Sequence, residues 1–296
     1  MTAVSQQLIP AFVNPAAGNA ESARSALNVV GGFDIREVPP ESLAESIRAA
    51  IGEGARRVLV AGGDGSIGSA AAALSGTDVE MAILPSGTLN HLAKHLSLPL
   101  ELEDAARVGL EGSAIAVDVA VVNDRVFLNT SSVGAYVTFV RMRERLERFL
   151  GYHIASLIAG LRLLIHLPVF RVTLEVEGKA RDYLTPLVFV GVGERELKLP
   201  TLGARVAGGR PGLHVMVVRR RSGARALALG LAAAARGVRA VSQTPAMDSF
   251  LVTSFRIERR THTAAVDGEI VHTTPPLEYK YVPGHLRVVV ARRTSS

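Results

Sequence analysis

The segment from Val58 to Leu74 constrains this chain more than any other. Val58 to Ala61 is a short, β-branched apolar run, Gly62-Gly63-Asp64-Gly65 breaks it, and Ser66 to Leu74 is rich in alanine. The pattern predicts a buried strand, a glycine turn and a helix with Ser66 at its cap. At such a helix start the backbone N–H groups point outward, the dipole favours negative charge, and glycine lets an anion approach the main chain. A bare glycine turn is equally an ordinary β-turn. Three glycines around one acid shift the balance, because Asp64 beside a phosphate cradle suits a magnesium ion better than it suits a turn. No Gly-Lys-Ser/Thr follows, so this is not a P-loop.

The flanking sequence repeats the unit. Leu8 to Val13 reads as a strand, Asn14-Pro-Ala-Ala-Gly18 as the loop leaving it, and Ala20 to Val30 as a helix. A strand at Phe33–Val38 and a helix at Glu41–Ile51 come next. Met81 to Leu84 is a further strand, Pro85-Ser-Gly-Thr-Leu-Asn90 its exit loop, and a helix from about His91 to Leu96 is closed by Pro99. This alternation predicts a parallel α/β sheet with ligands outside the carboxyl ends of its strands. Three loops rich in glycine, asparagine and hydroxyls therefore converge on one edge. A Rossmann dinucleotide site is disfavoured, since no Gly-x-Gly-x-x-Gly follows the first strand. From Val117 on, strand-like runs dominate: Val117–Val122, Arg125–Asn129, Arg171–Val176, Leu187–Val192, Leu213–Val218, Ser254–Glu258 and Leu286–Ala291. They predict a β-rich second domain.

A chain of 296 residues has room for two domains with substantial cores. Hydrophobic residues make up 48%, yet no uncharged apolar run reaches the roughly 18–20 residues that span a bilayer. The nearest candidate, Tyr152 to Phe170, is interrupted by Arg162 and carries His153, His166 and Pro168. Met1 to Pro10 lacks a charged region followed by an apolar stretch, so no signal peptide is expected. The absence of cysteine excludes disulfides and thiolate metal sites and fits a cytosolic setting. A net charge of +6 calls for an anionic partner. Nucleic acid ranks last: there is no recognition motif and no tryptophan, and aromatics are sparse.

Asn14-Pro-x-x-Gly18, Gly62-Gly-Asp-Gly-Ser66 and Pro85-x-Gly-Thr-x-Asn90 resemble the nucleotide-binding motifs of the diacylglycerol kinase catalytic domain family. That family includes soluble bacterial lipid kinases and the sphingosine and ceramide kinases. Ala265-Val-Asp-Gly-Glu269 resembles its catalytic Asp-Gly-Glu motif. Gly-Gly-Asp-Gly alone is shared with NAD kinases and phosphofructokinases; the set of four, in order from Asn14 to Glu269, is specific. The resemblance implies an α/β N-terminal domain with a parallel sheet, as in NAD and diacylglycerol kinases, and a C-terminal β-sandwich. It implies a nucleotide-binding domain over residues 1–122 with a C-terminal return at 275–296, and a lipid-substrate domain with helical insertions over 123–274. The implied activity is transfer of the γ-phosphate of ATP, with Mg²⁺, to a lipid hydroxyl, diacylglycerol-like by default. The implied place is the cytoplasm, at the inner face of an anionic membrane. A kinase of a soluble acceptor such as NAD is an alternative, countered by the Pro85–Asn90 motif and the hydrophobic, basic second half. A catalytically silent nucleotide- or lipid-binding protein is another, countered by the retained Asp64, Asp267 and Glu269.

Phosphoryl transfer requires the γ-phosphate to be held, its charge offset, and an acceptor hydroxyl placed in line near a base. The nucleotide set is Asn14, Gly18, Gly62, Gly63, Asp64, Gly65, Ser66, Gly87, Thr88 and Asn90. The glycines admit phosphates to the main chain, Ser66 and Thr88 offer hydroxyls, and Asn14 and Asn90 offer amides that orient loops or ligand. Asn90 also reads as a helix N-cap. Asp267-Gly268-Glu269 by itself reads as a hairpin turn. By resemblance Asp267 is the general base and Glu269 supports it or a metal, so Asp64 and Glu269 are the candidate magnesium ligands. His91 and His95, four apart, lack a third ligand and read as exposed helix residues.

The pattern departs from the family in three places. Ser66 replaces the usual threonine, and no acid lies between Arg125 and Arg143, where many bacterial members carry an aspartate. Arg210-Pro-Gly-Leu-His-Val215 stands where the family often has an acidic, metal-binding segment. From Thr201 to Met247 there is not one Asp or Glu against eight arginines, so no structural divalent ion is expected there. Two helices are predicted within the second half, at Tyr136–Leu167 and Arg225–Val241. Their basic, apolar character suits core helices with solvated ends or a surface resting on anionic lipid.

Overall fold

The computed structural model describes residues 8–134, 169–176, 178–196, 203–218, 247–258 and 263–292. It also describes Val137, Met142, Arg145, Leu146, Phe149, Gly151, Ile154 and Ile158, which are helical. The rest of the helix expected at Tyr136–Leu167, and all of that at Arg225–Val241, lie outside the described residues. The chain divides into two compact units, residues 1–119 with 282–296, and residues 120–281.

The first unit alternates strand and helix. Its elements are β1 (Ile9–Val13), α1 (Ala20–Val30), β2 (Phe33–Glu37), α2 (Leu43–Gly52), β3 (Arg57–Gly62), α3 (Asp64–Leu74), β4 (Glu80–Pro85), α4 (His91–His95), α5 (Leu102–Glu111) and β5 (Ser113–Val122). The strands run parallel in the order β2-β1-β3-β4. Beyond β4 the final strand of the chain, Leu277–Val290, adds in parallel, with Arg287 opposite Glu80. Alternate residues define the faces. Ala11, Val13, Leu59, Ala61, Ala82 and Leu84 pack under α1 and α5, while Phe12, Val58, Val60, Met81 and Ile83 are buried on the other side. A strand covered on both faces needs an unbroken apolar run, which is why β3 and β4 read as continuous hydrophobic stretches. Helix α5, with the charged sequence L-E-D-A-A-R-V-G-L-E, was not expected from the sequence. It buries the small residues Ala105, Ala106 and Gly109, with Leu102 and Leu110 partly buried against the same core.

The second unit is β-rich. It holds β6 (Arg125–Phe127), β7 (Thr130–Gly134), β8 (Phe170–Val176), β9 (Lys179–Thr185), β10 (Leu187–Val192), β11 (Leu213–Val218), β12 (Met247–Val252), β13 (Ser254–Glu258), β14 (Thr263–Val266), β15 (Glu269–His272) and the start of β16 (Leu277–Val290). One antiparallel sheet has the order β12-β11-β10-β7-β14-β15. In the other, β13 lies between β16 and β8, and β9 follows β8. Their inner faces share one core. Val188, Val190, Leu213 and Val215 of the first meet Val172, Leu174, Phe255, Ile257 and Tyr279 of the second. Two antiparallel sheets face to face form a sandwich. Tyr279 stacks on Phe255 with ring centroids 4.6 Å apart, and its hydroxyl bonds Ser131 Oγ at 3.0 Å. Burial drives its phenol up to about 12. Among the described residues, no helix is long and apolar enough to cross a membrane.

Candidate active site

In the first unit β3 ends at Gly62, and the chain enters α3 through the extended residue Gly63. The helix begins at Asp64, two residues earlier than the sequence suggests: Gly63 holds the cap position, and Ser66, expected at the cap, lies within the first turn. The reason is electrostatic. A carboxylate in a first turn faces the positive end of the helix dipole, and Asp64 Oδ1 also accepts the His91 N–H at 2.7 Å. Ser66 instead folds over Gly62, where an added Cβ would meet its Cβ at 2.5 Å.

The exit loop of β4 is pressed against this turn. Ser86 N–H donates to the Gly62 carbonyl at 3.2 Å. The two main chains touch at Gly63 and Gly87, where a Cβ built on Gly87 would come within 2.3 Å of Gly63 Cα. Asn90 is left-handed at φ 50°, a conformation asparagine tolerates. It sits at the cap position of α4 without capping it. Its Oδ1 accepts the Gly87 N–H at 3.1 Å, and its Nδ2 donates to the Gly87 and Pro85 carbonyls at 2.8 and 3.3 Å. Thr88 is exposed on the same loop.

The loop after β1 joins through a residue the sequence reading missed. Asn14 keeps to its own loop, its Oδ1 accepting the Ala16 N–H at 3.0 Å. Asn19 Nδ2 makes the crossing, donating to the Ser86 carbonyl at 3.0 Å. Its one sequence signal is an amide next to Gly18, which is itself exposed with open space around it. The carboxyl ends of β1, β3 and β4 thus carry loops bonded to one another. The unpaired N–H groups of the α3 first turn, close-packed glycines and an exposed threonine hydroxyl fit a polyphosphate. Among the described residues, no group of three or more His, Cys, Asp or Glu could hold a metal ion. A magnesium ion near Asp64 would therefore take most of its ligands from phosphate and water, as that ion commonly does.

In the second unit Asp267 and Gly268 form the two-residue turn between β14 and β15, with φ of 47° and 91°. Positive φ at both positions is the type I′ hairpin that Asp-Gly favours. The turn aims the Asp267 carboxylate at the main chain entering β7. Leu128 N–H donates to Oδ2 at 2.8 Å, and Asn129 and Thr130 N–H donate to Oδ1 at 2.9 and 2.8 Å. The carboxyl is raised above the usual carboxylate range by burial, with the three N–H bonds and the Arg195 charge pulling the other way. Glu269 is exposed at the start of β15.

Arg195, which the sequence reading passed over, is 3% exposed. Its guanidinium reaches both the Oδ1 and the carbonyl of Asn129 and the carbonyl of Val192. Burial, with Arg205 nearby, lowers it to about 10. Its N–H donates to His214 Nδ1 at 2.8 Å, and burial holds that imidazole below its ordinary value. In the carboxylate-free segment, Arg210 pairs with Glu194 at 2.9 Å and holds that carboxyl at about 2.

Residues 9–122 match the diacylglycerol kinase catalytic domain as a family. That stretch of the chain is similar to the catalytic domain of that family. The matched span contains all three bonded loops, while Asp267 and Glu269 lie outside it. A protein from Cronobacter sakazakii named "Probable lipid kinase YegS-like" is 33% identical over 156 residues, 51% of this chain and 51% of that protein. A protein of the same name from an Enterobacter species is also 33% identical over 156 residues, with the same coverage. The chain spans about half the length of these curated relatives. The crystal structure of a diacylglycerol kinase from Bacillus anthracis superposes with a TM-score of 0.69 at 21% identity, covering 96% of each chain. At that identity the likeness is one of fold.

Proposed function

We propose that this chain is an ATP- and Mg²⁺-dependent lipid kinase that phosphorylates the hydroxyl of a membrane lipid, diacylglycerol-like by default. One observation carries the reading. The three loops of a diacylglycerol kinase catalytic domain are fastened together, with Gly63 and Gly87 in backbone contact, so a polyphosphate meets a preformed surface of N–H donors. Bound Mg²⁺·ATP supplies the phosphoryl group and offsets its charge. Gly62, Gly63, Gly65 and Gly87 admit the phosphates, Ser66 and Thr88 donate hydroxyl bonds, and Asp64, which ties the second loop to the third, would hold the metal that offsets the phosphate charge. Asn14, Gly18 and Asn90 shape the rim. Asp267 takes the proton of the acceptor hydroxyl, with Glu269 beside it in support. A carboxylate has about four lone-pair sites, and the N–H bonds from Leu128, Asn129 and Thr130 leave Oδ2 capacity to accept a hydroxyl. Burial, which raises this carboxyl, makes its ionised form a stronger proton acceptor.

The lipid arrives by peripheral contact with an anionic membrane on the cytoplasmic side. The support is Phe149, 84% exposed, and Ile154, also exposed, on a helical stretch with Arg145 and the sequence neighbours Arg141, Arg143 and Arg148. An exposed apolar side chain among arginines suits a headgroup boundary.

The test is incubation with labelled ATP, Mg²⁺ and a total lipid extract, followed by identification of the labelled product. The expected result is a phosphorylated lipid, formed faster with anionic lipid in the micelle. Activity should fall with salt, which screens surface charge beyond about 10 Å at 0.1 M. Label found only in water-soluble acceptors would overturn the reading.

A further inference from the structure

We infer that Arg195 is the positioning residue of Asp267, acting through the main chain of Asn129. This rests on the proposal that Asp267 is the base. Three consecutive N–H groups, Leu128 to Thr130, grip the Asp267 carboxylate, so its place depends on how firmly that strand entry is held. Asn129 is the middle of the three. Arg195 fastens it twice: Nη1 donates to Asn129 Oδ1 at 2.8 Å, and Nη2 donates to the Asn129 carbonyl and to Val192 O at 2.8 Å. Asn129 O also accepts the Val192 N–H at 3.0 Å, so β10 shares the same anchor.

The guanidinium reaches this place because Gly191 has no side chain. A Cβ there would lie 2.3 Å from Arg195 Nε. The backbone of Arg195 is fixed in turn by the bond from its N–H to His214 Nδ1. A buried guanidinium costs desolvation that a neutral residue would avoid. A planar fork gives two bonds to one residue, which a lysine ammonium cannot reproduce. The charge also lies close enough to attract the Asp267 carboxylate. Fork and charge together account for an arginine here.

The experiment compares wild type with Arg195→Lys, Arg195→Met and Asn129→Ala, the last removing only one acceptor of the fork. Hydrogen exchange is followed at the amides of Leu128, Asn129 and Thr130, alongside kcat and the KM for ATP. A loosened base should lower kcat about 10²-fold in Arg195→Met, leave the KM for ATP unchanged, and strip protection from those amides. Arg195→Lys should recover little, since it restores charge without the fork. Where Arg195→Met fails to fold, Asn129→Ala reads the same link, with smaller losses of the same kind. Unchanged protection at the three amides in Arg195→Lys and Asn129→Ala would overturn the inference, as would a parallel change in kcat and the KM for ATP. Lost protection in a protein whose wild type phosphorylates no lipid would uphold the link and remove the kinase reading instead.

Discussion

The loops of the first unit and the Asp267 cradle of the second solve opposite problems. The loops are open to solvent and held mostly by neutral groups, two glycine backbones in contact and asparagine amides, with one carboxylate, that of Asp64, accepting a single N–H. The cradle is held by charge, with a half-buried carboxylate on three N–H donors and a buried guanidinium behind them. The first therefore has little tolerance for volume and some for charge. The second has little tolerance for a change of charge, because a buried charge left without its partners is costly whatever its size. A surface for a large polyanion and a seat for one proton transfer call for such different designs.

The contrast breaks most sharply at Asp267. Asp267→Asn keeps the volume and removes the charge, and loss of a general base typically lowers turnover about 10²–10⁴-fold. ATP binding, measured by calorimetry, should be nearly unchanged. Near-wild-type turnover would transfer the role of base to Glu269.

Volume is the corresponding test in the loops. Gly87→Ala places a methyl 2.3 Å from Gly63 Cα and 2.9 Å from Asn90 Oδ1. Overpacking of this kind costs about 1–3 kcal/mol, and the loss should appear as weaker ATP binding. Gly18→Ala, with open space around it, should change binding little. Equal effects from the two would show that backbone contact is not what matters at this edge.

Asp64→Asn separates the two roles of one carboxylate. The amide oxygen can still accept the His91 N–H, so the loops stay tied and thermal stability should shift by less than about 1 kcal/mol. Magnesium dependence of ATP use should weaken. A large fall in stability with no change in magnesium dependence would make Asp64 a loop tie alone.

The smallest expected effect lies behind the cradle. His214 Nδ1 accepts an N–H, so its imidazole must be neutral there, and burial holds its folded value below the ordinary 6.5. A depressed folded value means stability is fully present above pH 6.5 and is lost as pH falls through the folded value. The slope for one proton is no steeper than about 1.4 kcal/mol per pH unit. His214→Asn should flatten the denaturation midpoint over that window. An unaltered pH profile would place the titrating group elsewhere.

By itself the sequence determined what depends on neighbours along the chain. The apolar runs of β1, β3 and β4, the glycine turns at their ends and the Asp-Gly hairpin are local in origin, since period, φ preference and turn chemistry act over a few residues. Signals weakened where few large apolar side chains are fully buried: β9 is exposed through Lys179 to Asp182, and the fully buried residues of α5 are all small. The helix start at Asp64 lies two residues before the expected one, and part of what holds Asp64 there is a bond from His91, 27 positions away. Tertiary structure alone decided the pairings that assemble each site. Asn19 meets Ser86 across 67 residues, Arg195 meets Asn129 across 66, and Asp267 meets Thr130 across 137. No short-range preference of Arg195 or Asn19 encodes those partners. They meet because burying the apolar faces of distant strands fixes the sheets, and the sheets then bring the polar residues at their ends together.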